Sequence, residues 1–219
     1  MGQYMAMTAL ERARALVAAH PCAAAFTGAG VSTASGIPDF RSPSGIWSRY
    51  RPVPFQDFVL DADARRRYWV YKKEAYQDFA DARPNPAHHA LARMEKAGRL
   101  RAVITQNIDG LHQEAGSETV LELHGTNRRV TCIRCAATWP AAEIQARLLA
   151  GCEMPECEHC GGILKSATVS FGQALPADVL NAAFHTASAV DLLLVLGSSL
   201  VVHPAAAIPM AAAKAGARL

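Results

Sequence analysis

Nowhere in its 219 residues does the chain carry an apolar run of the ~18 residues needed to span a bilayer. The opening stretch MGQYMAMTALERARALVAAH has no compact apolar segment of the signal-peptide kind, because Glu11, Arg12 and Arg14 interrupt it. Ala6 stands where an N-myristoylation signal needs Ser or Thr. Neither sign of charge predominates: 22 Lys and Arg against 19 Asp and Glu leave a net charge of +3, which argues for neither a nucleic-acid nor a membrane partner. Basic residues near the cysteines are few (Arg128, Arg129, Arg134, Lys165), and Trp139 is the one aromatic there able to stack on a base. A soluble, cytoplasmic protein without nucleic-acid or membrane partners is expected. In that compartment six cysteines are thiols or metal ligands rather than disulfides.

What is present is core-forming material, with 51% hydrophobic and 19% charged residues. Thr8 to His20 spaces Leu10, Ala13, Leu16 and Val17 as an amphipathic helix, and CAAAFT (Cys22 to Thr27) suits a strand buried on both faces. A Ser-, Gly- and Pro-rich loop follows, then a long aromatic-bearing helix over Asp63–Asp81. Pro86 to Ala97 reads as a helix closed by Gly98. Strands are expected at Ala102–Thr105, Val120–Leu123, Ala167–Phe171 and Asp191–Gly197, with helices at Pro176–Ala189 and Pro204–Ala215. The alternation predicts an α/β fold: a Rossmann-like parallel sheet with helices on both faces, over 1–127 and 166–219. The cysteine stretch, 128–165, is inserted in it as a small zinc-ribbon module.

The insertion holds the strongest chemical signal. Cys132-x-x-Cys135 and Cys157-x-x-Cys160 are two tight turns, each presenting two thiolates, and together they complete a tetrahedron around one Zn²⁺. Four sulfur ligands make a closed, structural site. Cys152, at Cys152-x4-Cys157, is also at a permitted spacing, but the glycines after Cys160 favour the matched pairs.

The turn GAGVSTASG is weaker evidence. Gly28 and Gly30 sit where a strand hands over to a helix, and backbone N–H groups there can hold a pyrophosphate. Thr33 replaces the third glycine of a dinucleotide fingerprint, and no acidic residue follows a second strand to grip a ribose. Ordinary hydride-transfer chemistry is therefore disfavoured. Two more polar loops begin at strand ends, TQNIDG (Thr105 to Gly110) and GSSLVV (Gly197 to Val202), where open α/β sheets place ligands. His124, at another strand end, is the candidate base among the histidines; His112 and His203 are weaker candidates.

Together, GAGVSTASGIPDFRS, PNPAHHAL, TQNIDGLHQEAGS, ELHG, the paired cysteines, VSFGQALP and GSSLVVHPAA resemble the sirtuin family of NAD-dependent protein deacylases. The resemblance implies a mobile cofactor-binding segment after the glycine turn, with Gly28, Ala29, Gly30, Asp39, Phe40 and Arg41 around NAD. It implies that Gln106, Asn107, Ile108 and Asp109 hold the nicotinamide and its ribose, and that Gly197, Ser198 and Ser199 contact the phosphates and adenosine half. Val169, Ser170, Phe171 and Gly172 pair with an acetyl-lysine peptide as an added strand. Catalysis falls to His124, as general base on a ribose hydroxyl, and to Asn107. The implied products are free lysine, nicotinamide and O-acetyl-ADP-ribose. Mono-ADP-ribosyl transfer and a non-catalytic zinc-ribbon module are the alternatives.

The sequence departs from the family pattern at Gln173, where Glu is commoner, and at Ser166, where Pro is usual. It ends at Ala217-Arg218-Leu219, where family members continue through a further strand, so a fragment is expected. The Tyr-x-x-Arg pair of the succinyl-preferring branch corresponds to Trp69-x-x-Lys72, with Tyr68 or Tyr71 as alternatives for the tyrosine. Both residue types differ, and Asp39 adds a carboxylate, so a neutral acyl group is expected.

Overall fold

The computed structural model describes residues 7–219 apart from 40, 41, 44 and 49. Phe40 and Arg41 thus lie outside the described residues. Elements follow one another as α1 (Ala9–Ala19), β1 (Ala23–Thr27), α2 (Phe55–Leu60), α3 (Ala62–Ala80), α4 (Pro86–Lys96), β2 (Leu100–Thr105), α5 (Leu111–Glu114) and β3 (Val120–Glu122). The cysteine region adds β4 (Gly125–Cys132), β5 (Thr138–Pro140), α6 (Ala141–Leu149) and β6 (Leu164–Thr168). The chain then runs through α7 (Ala177–Ser188), β7 (Leu192–Leu196) and α8 (Ala207–Lys214). Short 3₁₀ turns occupy 29–31, 33–35 and 46–48.

β1, β2, β3 and β7 form one parallel sheet in the order β3-β2-β1-β7. Strand alternation splits β1 between two cores. Ala24 and Phe26 pack with Ala183 and Ala187 of α7 and Ile208 and Ala212 of α8. Ala23 and Ala25 face Leu91 of α4, with Val17 of α1 alongside. Helices on both faces explain why β1 is buried at every position, and why its sequence is wholly apolar before Thr27. Local signals set the helix starts: Thr8 and Glu11 form a reciprocal capping box on α1, and Asn85 caps α4 ahead of Pro86.

The strand expected over Ala167–Phe171 forms earlier, as Leu164–Thr168, and in another sheet. It pairs antiparallel with β4, which also pairs with β5. Gly125 opens β4 at φ +69°, where a Cβ would lie 2.0 Å from the Ala167 carbonyl oxygen, so only glycine lets the two strands meet. This small sheet, α6 and α3 enclose a third core, in which Trp69 and Phe58 pack against Val130, Ile144, Leu148 and Leu164. At the other end of the chain Arg218 pairs in parallel with Leu192, beside β7.

Candidate active site

The C-terminal ends of β1, β2, β3 and β7 open onto one cleft of about 1280 Å³. Its floor is an interlock of glycines. Gly28 N–H donates to Leu196 O (3.0 Å) and Gly30 N–H to Gly197 O (2.9 Å). A Cβ on Gly28 would lie 2.7 Å from Gly197 O, and one on Gly30 2.9 Å from Gly197 Cα. The two loops therefore touch through bare backbone. That leaves peptide groups, rather than side chains, to meet a ligand there.

The TQNIDG loop is bolted to this floor. Gln106 donates from its backbone to Thr27 O (2.9 Å) and from Nε2 to Ser198 Oγ (2.7 Å). Asn107 Nδ2 donates to Gly28 O and to Ser32 Oγ, both at 3.1 Å. Gln106, Asn107 and Ile108 line the cleft, together with Gly197, Ser198 and Ser199. Asp109 behaves differently from its three predecessors. It is buried, its Oδ2 accepts from Ser32 Oγ at 2.7 Å and its Oδ1 from Leu111 N–H at 2.9 Å, so it braces the loop from behind. Ser32, at the centre of this network, carries no signal beyond its place in a serine-rich turn.

His124 lines the same cleft, half-buried, just beyond β3. Its Nδ1 lies 2.9 Å from Gln106 O. A carbonyl only accepts, so Nδ1 carries the proton and Nε2 is the basic nitrogen. His124 O accepts from Val169 N–H (2.8 Å), which ties the histidine to the segment leaving β6. That segment, Val169 to Gly172, lines the cleft with Phe171 half exposed. Gln173 Oε1 accepts from Ser170 N–H (3.1 Å), so an amide oxygen closes this turn where a carboxylate is the family's commoner choice. Asp39 and Ala29 are at the cleft as expected, and Asp39 Oδ1 accepts from Ser42 N–H (2.7 Å). His203 also lines it, whereas His112 is buried beneath it.

At the far end, Arg67, Tyr68, Tyr71 and Lys72 present one face of α3 to the cleft. Trp69 turns the other way, into the core of the cysteine region, edge-on to Tyr68. The tyrosine position beside Lys72 therefore belongs to Tyr68 and Tyr71 and not to Trp69, a shift of helical phase. Lys72 Nζ donates to Asn127 Oδ1 (2.7 Å) and lies 5.5 Å and 5.8 Å from the two tyrosine ring centres. Burial, and then the neighbouring Lys165, pull its amine down to about 7.

About the cysteines, the Sγ atoms of Cys132, Cys135, Cys157 and Cys160 all lie within 4.8 Å of one another, and Cys152 is outside the group. Cys132–Cys160 and Cys135–Cys157 are each 3.6 Å apart. A tetrahedron with Zn–S bonds of ~2.3 Å has edges of roughly 3.8 Å, so the residues fit Zn²⁺. Gly162 is part of the fit, since a Cβ there would lie 2.9 Å from Cys132 Sγ and 3.1 Å from Cys160 Sγ.

Residues 28–204 match the model of the Sir2 family. The chain belongs to the Sir2 family. An NAD-dependent protein deacetylase of Thermodesulfovibrio yellowstonii is 50% identical over 196 residues, covering 89% of this chain and 76% of that protein. The fold is similar, at TM-score 0.89 and 37% identity, to a Sir2 with a deacetylated p53 peptide and 3′-O-acetyl-ADP-ribose; the match covers 97% of this chain and 85% of the other. It is similar at TM-score 0.86 and 36% identity to a Sir2 with a p53 peptide and NAD⁺, with the same coverage. The glycine cradle, His124 and the four cysteines thus lie in a chain of sirtuin fold.

Proposed function

We propose that this sirtuin removes acetyl groups from protein lysines, using NAD and releasing nicotinamide and O-acetyl-ADP-ribose. The observation that carries the reading is His124, its Nδ1 fixed on Gln106 O and its Nε2 left basic, in the cleft floored by the glycine cradle. When bound, NAD supplies an electrophilic ribose carbon from which nicotinamide leaves. Gly28, Ala29, Gly30, Gly197, Ser198 and Ser199 hold its diphosphate and adenosine half, with Asp39 and, beyond the described residues, Phe40 and Arg41. Gln106, Asn107 and Ile108 orient the nicotinamide and its ribose, and Asp109 holds them in place through Ser32. His124 Nε2 takes the proton from a ribose hydroxyl. The segment Val169 to Gly172, which lines the cleft, would pair with the peptide as an added strand and carry the lysine toward His124.

Zinc on Cys132, Cys135, Cys157 and Cys160 is structural, because four thiolates leave no ligand position for water. We take 128–165 as the zinc module and 1–127 with 166–219 as the dinucleotide-binding unit. Gathered thiols also fit a reducing compartment such as the cytoplasm; no helix among the described residues is long and apolar enough to cross a membrane.

For the acyl group we propose acetyl or another neutral chain. Lys72 offers a point charge where a guanidinium fork would grip a carboxylate, and its amine is already engaged by Asn127. Incubating the protein with an acetyl-lysine peptide and NAD tests the reading. Nicotinamide and O-acetyl-ADP-ribose appearing in equal amounts is the expected result. NAD-dependent labelling of an acceptor protein, with no loss of acetyl, would overturn it.

A further inference from the structure

Two histidines that the reaction does not use are buried side by side beneath the cleft. His88 of α4 and His112 of α5 have ring centres 4.7 Å apart, and neither ring reaches solvent. Their hydrogen bonds define their tautomers. Asn85 N–H donates to His88 Nδ1 (3.2 Å), so the His88 proton is on Nε2. Thr27 gives its hydroxyl proton to Thr105 Oγ1 (2.8 Å), so the 3.0 Å contact between Thr27 Oγ1 and His112 Nε2 uses the ring's N–H. The two nitrogens without a partner are then a donor on His88 and a lone pair on His112, which are complementary. Burial keeps both rings neutral, with His112 held down to about 4, first by desolvation and then by its neighbour His88.

Each ring holds a different part of the cleft. Thr105 Oγ1, fixed by Thr27, accepts from Asn107 N–H (3.0 Å), so His112 reaches the backbone of Asn107 through two hydroxyls. His88 fixes Asn85, whose Nδ2 donates to Val31 O (2.8 Å) and Ser35 Oγ (2.9 Å) in the turn that follows the glycines.

We infer that His112 is a positioning residue for the Asn107 loop, and that its contact with His88 joins that loop to the glycine turn as one preformed dinucleotide cradle. The inference rests on the proposed use of NAD. A histidine that merely fills space is replaced better by Leu than by Gln in a buried pocket. A histidine that donates from Nε2 is replaced better by Gln, whose Nε2 reaches the same place.

Equilibrium NAD binding and the KM values for NAD and peptide, measured on His112→Leu, His112→Gln and Thr27→Val, separate these cases. Loss of one buried hydrogen bond should weaken NAD binding roughly tenfold in His112→Leu, and loss of the two that the Thr27 hydroxyl makes should weaken it at least as much in Thr27→Val. The peptide KM should stay within about twofold, and His112→Gln should recover most of the NAD affinity. Thr27→Val keeps the shape of the site, so it decides the matter if His112→Leu does not fold. Equal NAD affinity in Thr27→Val and the unmodified protein, or Leu outperforming Gln, overturns the inference. Absence of NAD binding by the unmodified protein would instead sink the proposed function.

Discussion

Replacing Gly197 by Ala is the sharpest test of the glycine interlock. Gly197 has φ +60°, and a Cβ on it would lie 2.4 Å from Val31 N, 2.7 Å from Gly30 C and 2.9 Å from Gly30 Cα. Every near atom is backbone, so no side chain can swing away. The left-handed conformation costs an alanine ~1 kcal/mol. Forcing apart packed backbone adds ~1–3 kcal/mol. A total of ~2–4 kcal/mol corresponds to a fall in Tm of roughly 5–15 °C for a domain of this size. The displaced atoms are those of the Gly30–Gly197 contact, so NAD affinity should fall with stability.

Gly98→Ala supplies the control. Gly98 has φ +70°, close to that of Gly197, but nothing lies within 4 Å of the place a Cβ would take, so it keeps the conformational strain and lacks the clash. Thermal unfolding and NAD titration of both variants, side by side, give the answer. If Gly197→Ala is no less stable than Gly98→Ala, or binds NAD as well, the interlock is not what builds the cradle.

Other outcomes follow from the same geometry. His124→Ala should lower product formation at least ~100-fold, as expected for loss of a general base, while NAD binding persists; near-normal turnover would mean another group takes the proton. Cys132→Ser should release zinc and Cys152→Ser should not, as metal analysis of the purified variants would show, and equal loss from both would refute the ligand set. Chelation should raise the peptide KM before it weakens NAD binding. Acetyl-lysine peptide should have the higher kcat/KM at every pH. The succinyl value should gain on it as the solution is made more acidic, since Lys72, held to about 7, is charged only at the acid end; a succinyl preference would refute the proposed acyl specificity. Lys72→Met should stabilise the protein by ~4 kcal/mol more at a pH about one unit below the folded pKa than near the unfolded one. The sign follows because the folded pKa of about 7 lies below 10.5, so the burial penalty is complete below the first value and fades toward the second.

The cleft was legible in the sequence because polar loops at the ends of apolar strands have one place to go in an open α/β sheet. Gly28, Asn107, His124 and Ser198 could be brought together by that rule alone. The β6 strand was harder: its pairing with β4 is long-range, and local periodicity does not say which sheet receives a strand. Trp69 and Tyr68 are adjacent aromatics on a helix buried from two sides, so the pattern could not tell which faces the cleft. Asp109 shows the limit for polar residues. Its carboxylate was visible in the sequence, but its partner Ser32 lies 77 positions away. The helix α6 went unread inside the cysteine insertion, although Ile144 and Leu148 have helical spacing.

The division of cores predicts that a structural metal should matter to only part of the cleft. The NAD side stands on the parallel sheet, whose two cores draw on α1, α4, α7 and α8 and contain none of the four clustered cysteines. The peptide side stands on a different core. Cys132, Cys157 and Cys160 pack there with Tyr68 and Trp69 of α3 and Leu164 of β6. α3 carries Tyr68 and Lys72 to the acyl end, and β6 leads directly into Val169 to Gly172. Loosening the cysteine cluster should thus free both walls between which, on the proposed reading, a peptide would lie. The glycine floor keeps its hydrogen bonds to β7. A metal that touches no reacting atom can therefore set peptide affinity while leaving dinucleotide affinity nearly unchanged.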